Sequence, residues 1–94
     1  MPDPIKFKAA YLAERGVYFA VIQVSAESVE TEYAQREAAR FYKRFFPEGT
    51  SIILMALKHE GSTLPATFYG RRDLVAFMSA LDSDLIKWKI YTYS

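Results

Sequence analysis

The chain has 94 residues, enough for one domain with its own core over 1–94 and too few for two. Apolar residues make up 51% and charged ones 24%, with 12 basic against 11 acidic side chains, which argues against disorder and against a global field that recruits nucleic acid or anionic membrane. Cysteine is absent, which removes disulfides, thiolate nucleophiles and cysteine metal sites and suits a reducing cytoplasm.

Met1-Pro2-Asp3-Pro4 is polar and turn-forming, without the basic start and apolar centre of a signal peptide. No apolar run approaches the roughly 20 residues of a membrane helix, so a soluble, cytoplasmic protein is expected. Ile5-Lys6-Phe7-Lys8-Ala9-Ala10-Tyr11 alternates, with Ile5, Phe7, Ala9 and Tyr11 on one strand face and Lys6 and Lys8 on the other. A short helix over 9–15 competes with the end of this strand, because Ala and Leu favour it. Glu14-Arg15-Gly16 reads as a tight turn into Val17–Val24, which makes a β-hairpin the opening unit. Val17, Phe19 and Val21 point one way from this second strand, and Tyr18, Ala20, Ile22 and Val24 the other. Both of its faces are apolar, which predicts a central strand covered on both sides.

Ser25-Ala26-Glu27-Ser28 predicts a strand end and a helix start, with Glu27, Glu30 and Glu32 near the positive end of the helix dipole. Ala34, Ala38, Phe41 and Phe45 form the apolar stripe, Tyr42 lies at its margin, and Pro47 and Gly49 stop the helix. Arg36, Arg40, Lys43 and Arg44 share the opposite face and read as dipole complement and solvation, with Glu32–Arg36 and Glu37–Arg40 at pairing distance along the helix. A third strand follows at 51–58 and a loop at His59–Thr63. Ala66–Tyr69 is a short strand, and Leu74, Phe77, Met78 and Leu81 define a second helix. After a turn at Asp82-Ser83-Asp84 the chain alternates over 86–93, with Ile86, Trp88 and Ile90 predicted inward against Lys87, Lys89, Tyr91 and Tyr93.

The order ββαββαβ predicts an α+β two-layer sandwich: a ferredoxin-like βαββαβ core, both helices on one sheet face, plus an extra N-terminal strand whose position stays open. Since strands 17–24 and 51–58 are apolar on both faces, the other sheet face should be an apolar surface, and a homodimer through that open face is expected. The N-terminal segment folding back over it is the competing explanation.

Catalytic and metal chemistry find little purchase. His59 is the single histidine, which excludes paired-histidine and HExxH-type zinc sites, and no serine sits in a G-x-S-x-G elbow. Asp82 and Asp84 lack the longer ligand series of a calcium loop. Neither a cofactor nor a metal is implied. Arg15–Ile22 partly matches the RNA-binding octapeptide that begins Lys/Arg-Gly, but the match fails at Tyr18 and Ile22 and falls on the wrong strand. The sharpest local signal is Gly70-Arg71-Arg72-Asp73, because cations at a helix start oppose its dipole unless an anion offsets them. Gly70, Arg71 and Arg72 are therefore a candidate anion site, with Asp73 as the simpler source of compensation. Lys6, Lys8, Lys87 and Lys89, with Tyr91 and Tyr93 as stacking partners, form a candidate nucleic-acid surface. The simpler account is lysine protection of edge strands against aggregation. Three functions follow from these signals: a non-enzymatic homo-oligomeric interaction or adaptor module, a nucleic-acid or phosphate-ligand binder, and a small-molecule enzyme with a pocket between paired sheets.

Overall fold

A computed structural model of the chain describes residues 5–57, 67–81 and 86–93. The opening hairpin is formed as expected. Strands β1 (Ile5–Glu14) and β2 (Val17–Ser25) pair antiparallel, from Ala9↔Ile22 to Glu14↔Val17. The two residues between them, Arg15 and Gly16, both have positive φ (51° and 80°), which the primed hairpin turns require. The strand therefore runs through the stretch where a helix competed.

A single 3₁₀ turn (Ala26–Val29) follows β2, and helix α1 spans Glu32–Lys43. Its cap is Thr31 rather than the serines upstream: the Thr31 hydroxyl accepts the Ala34 amide at 3.0 Å, while Ser25 and Ser28 bond each other at 2.8 Å. Strand β3 (Ser51–Leu57) lies parallel to β2, and β4 (Thr67–Tyr69) antiparallel to β3. Helix α2 (Arg72–Ala80) leads to β5 (Lys89–Tyr93), which pairs antiparallel with Ile5–Ala9 of β1. His59–Thr63, Ala66 and Asp82-Ser83-Asp84 lie outside the described residues.

The result is an α+β fold around one mixed five-stranded sheet in the order β4-β3-β2-β1-β5. The ferredoxin-like order is not the one observed. In that arrangement a strand inserts between the two joined by the first helix, whereas here α1 connects neighbouring parallel strands, and the extra N-terminal strand occupies the interior position beside β2. As anticipated, β2 is central, and Phe19, Ala20, Val21 and Ile22 are all fully buried.

Each sheet face carries its own helix. Ala10, Phe19, Val21, Ile53 and Met55 pack with Leu74 and Met78 of α2 and with Ile86. Phe7, Ala9, Ala20, Ile22, Leu54 and Ala56 pack with Val29 of the 3₁₀ turn and with Ala38, Tyr42, Phe45 and Phe46 from α1 and its C-terminal end. The connectivity accounts for this. The chain leaves β4 at one edge and must reach β5 at the other, four strand spacings or about 19 Å away, and α2 packs on the sheet between them. The apolar residues expected to leave one face open, on which the expected homodimer rested, lie beneath α2 instead.

At the last strand, Ile86 is buried and Trp88 packs against the α2-side cluster, but the strand begins only at Lys89. There the expected polarity is reversed: Ile90 is 60% exposed, while Tyr91 and Tyr93 pack into the α1-side cluster.

Candidate anion-binding groove

The site starts at Gly70. Its φ of +149° lies in a region closed to most side chains, and a Cβ there would sit 2.6 Å from Ile53 Cδ1 and 2.9 Å from the Ile52 carbonyl oxygen. Glycine thus lets the end of β4 press on β3 and sets Arg71 beside the start of that strand. Arg71 is the N-cap of α2, with no side-chain cap bond of its own, and its Nε lies 2.8 Å from Asp73 Oδ1. Asp73 compensates the arginine, as the simpler reading had it. Arg72 is exposed and has no carboxylate within 4.0 Å among the described residues.

What the sequence did not join to this segment is the basic face of α1. Arg40 and Lys43, one helical turn apart, overhang a groove of about 480 Å³ that also takes Ala39, the Gly49-Thr50-Ser51-Ile52 segment and Arg71 as lining. Three cations converge there from two elements, and among the described residues the lining contains no carboxylate, although Glu37 and Asp73 pair with Arg40 and Arg71 from beside it. A second depression continues along α1 through Arg36 and Glu32 toward Tyr69 and Gly70, and shares Ala39 and Ile52 with the first. The arginines of α1 are only loosely paired: Arg36 to Glu32 and Arg40 to Glu37, each at 3.9 Å, with both arginines about 80% exposed. Exposed pairs at such distances hold a side chain weakly and leave it available to a stronger anion.

The candidate nucleic-acid residues do not form one surface. The β1–β5 register sets Lys8 opposite Ile90 and Lys6 opposite Thr92 on the α2 side of the sheet, while Lys89, Tyr91 and Tyr93 lie on the α1 side opposite Ala9, Phe7 and Ile5. Lys87 is exposed ahead of the strand. Tyr91 and Tyr93 stack on Phe7 at 5.3 and 6.0 Å, Tyr93 also lies 4.4 Å from Phe45, and Lys89 Nζ sits over Tyr91 at 5.4 Å. Burial, and then the neighbouring phenols of Tyr93 and Tyr11, push the Tyr91 hydroxyl above its ordinary pKa; burial alone does the same for Tyr42.

The exposed aromatic rings are elsewhere: Tyr33 on α1, at 74%, and a pair on the sheet. Tyr11 (41% exposed) and Tyr18 (56%) stack at 6.0 Å on the α1 side near the hairpin turn, and Tyr11 stacks in turn on Phe46 at 5.9 Å. The Tyr11 hydroxyl lies 3.5 Å from Thr50 Oγ1, and Thr50 is itself buried in the wall of the cationic groove. Among the described residues there is no group of three or more histidine, cysteine or carboxylate side chains placed to hold a metal, and no helix long and apolar enough to cross a membrane. Compared with known proteins, the chain matches no family model, no curated protein and no solved structure.

Proposed function

We propose that this chain is a binding module for a phosphate-bearing ligand, with the anion held in the groove between α1 and the start of β3. The observation that supports it most is the convergence of Arg40, Lys43 and Arg71 on the Gly49–Ser51 segment, with Glu37 and Asp73 pairing the two arginines from beside the groove. Guanidinium groups offer forked donors suited to phosphate oxygens, the ammonium adds a point charge, and the Thr50 and Ser51 hydroxyls supply neutral donors. Arg71 is the member common to this groove and the helix-start triad; Gly70 serves by letting it approach β3, and Arg72 contributes charge at the rim.

The test is thermal stability in increasing inorganic pyrophosphate. At ten times its dissociation constant a ligand adds about 1.4 kcal/mol, which for a domain of this size raises the melting temperature by roughly 6–11 °C. The triple variant Arg40→Gln/Lys43→Gln/Arg71→Gln should lose that response while keeping its ligand-free stability. An equal rise in both proteins, or none in either, rejects the groove.

A further inference from the structure

We infer that the ligand of this groove carries a planar base beside its phosphate, and that the chain binds single-stranded nucleic acid with a base stacked on Tyr18. This rests on the anion-binding reading of the groove and extends it to the neighbouring surface. Exposed aromatic rings need a reason, because covering them is favourable, and on the same sheet face Phe7 is buried and Tyr91 and Tyr93 are partly covered. Here the cover provided by α1 and its C-terminal end stops at Phe46. Beyond it Tyr11 and Tyr18 continue the stack toward solvent, with interplanar angles of 5° between Phe46 and Tyr11 and 18° between Tyr11 and Tyr18. The cross-strand partner of Tyr18 is the small, exposed Ala13, so no large side chain opposes it across the hairpin.

The aromatic shelf adjoins the cations. The parallel ladder begins at Phe19↔Ser51, so Tyr18 and Thr50 are the residues just beyond its end, on the α1 side. Thr50 is both the hydrogen-bond neighbour of Tyr11 and a wall of the groove that holds Arg40, Lys43 and Arg71. A flat, sequence-tolerant stacking surface next to a cationic track is the combination that single-stranded nucleic acid uses: phosphates follow the charge and a base lies on the ring. The groove also continues along α1 past Ala39 to Arg36, a direction in which a chain of phosphates can run. Tyr91 and Tyr93 take no part, since their ring faces are occupied by Phe7 and Phe45.

Fluorescence anisotropy with a short labelled oligothymidylate, with unlabelled thymidine monophosphate and duplex DNA as competitors, tests this on the full chain. Tyr18→Ala should weaken oligonucleotide binding by about 5- to 150-fold, the range for loss of one stacked base. Tyr18→Phe should retain it, and neither change should alter the thermal response to pyrophosphate. The groove variant Arg40→Gln/Lys43→Gln should instead flatten the dependence of binding on salt. Wild-type oligonucleotide affinity in Tyr18→Ala, with the pyrophosphate response intact, overturns the stacking inference and leaves the anion groove standing. Loss of the pyrophosphate response in wild type removes the groove itself. Competition by the mononucleotide at the same concentration as by the strand overturns the strand in favour of a free nucleotide, and preferential competition by the duplex overturns both.

Discussion

The two faces of the sheet are built from different materials. On the α2 side Phe19, Val21, Ile53 and Met78 are at most 1% exposed, and the helix buries Leu74 and Met78 completely enough to close the layer. On the α1 side the strands bury Ala9, Ala20, Ile22, Leu54 and Ala56, the periphery is aromatic, and no residue of α1 itself is fully buried. One helix seals its face and the other leans on it. Sealing concentrates stability; leaning leaves a groove, a shelf of rings and a row of arginines at the protein surface. The division predicts that stability and binding respond to mutations on opposite sides of the same sheet.

The largest expected effect tests that division directly. Phe19→Ala removes a ring that is wholly buried and meets Phe77 edge-on at 6.1 Å, so it should cost about 3–5 kcal/mol. Tyr93→Ala, which truncates a partly exposed member of the aromatic cluster, should cost roughly 1–2 kcal/mol. Urea denaturation of the two variants provides the comparison, and equal losses would dissolve the distinction between the faces.

Gly70→Ala comes next. The left-handed backbone conformation costs on the order of 1–3 kcal/mol for a residue with a side chain. The added Cβ must also displace the Ile52 carbonyl, which cannot swing aside as a side-chain tip can. Because the same glycine sets Arg71 beside the groove, the substitution should lower both the melting temperature and the response to pyrophosphate. A stable variant with weakened anion binding would separate the two roles assigned to it.

Much of this fold was legible in the sequence, for identifiable reasons. Alternation and the Arg15-Gly16 turn marked the hairpin, the doubly apolar β2 announced a central strand, and the Leu74/Phe77/Met78 spacing marked α2. The side on which each helix lies was not legible, because β2 and β3 are equally apolar on both faces and parity assigns a helix to neither. Strand order was hidden for a related reason: nothing local in Lys89–Tyr93 says that its partner is β1. The groove was half visible. Arg71 was flagged as a cation at a helix start, while Arg40 and Lys43 read as ordinary solvated residues, since a helical wheel does not show that α1 leans toward β3. Tyr18 was hidden by its neighbours, as an aromatic residue in an apolar strand reads as core until the helix above it is seen to end.

Alkaline titration distinguishes the faces more gently. The folded-state pKa values of Tyr42 and Tyr91, both on the α1 side, are raised above the ordinary tyrosine value of about 10. Their contribution to stability is therefore complete below about pH 10 and lost as pH climbs through the higher folded values, because the unfolded chain releases those protons first. Absorbance at 295 nm should show the Tyr42 and Tyr91 phenols ionising above the ordinary tyrosine range, and Tyr42→Phe should reduce the loss of stability at high pH. Ionisation of both phenols in the ordinary tyrosine range would mean that burial on the α1 side does not reach them.

The smallest expected change in stability carries a change in binding. Glu37 lies 3.9 Å from Arg40, with side chains 47% and 80% exposed, and an exposed pair of this length contributes little to folding. Glu37→Gln keeps the length of the side chain and a good helix former, so stability should stay within about 0.5 kcal/mol of wild type. The carboxylate it removes, however, competes with any anion for the Arg40 guanidinium at the mouth of the groove. Pyrophosphate affinity should rise about two- to fivefold at low salt, the equivalent of a few tenths to 1 kcal/mol of exposed charge interaction, and the gain should fade as ionic strength increases. The same substitution at Glu32, whose partner Arg36 lies farther along the helix, should raise it less. Equal gains from both would show that general charge rather than the Arg40 site attracts the ligand, and no gain from either would place the bound anion away from α1.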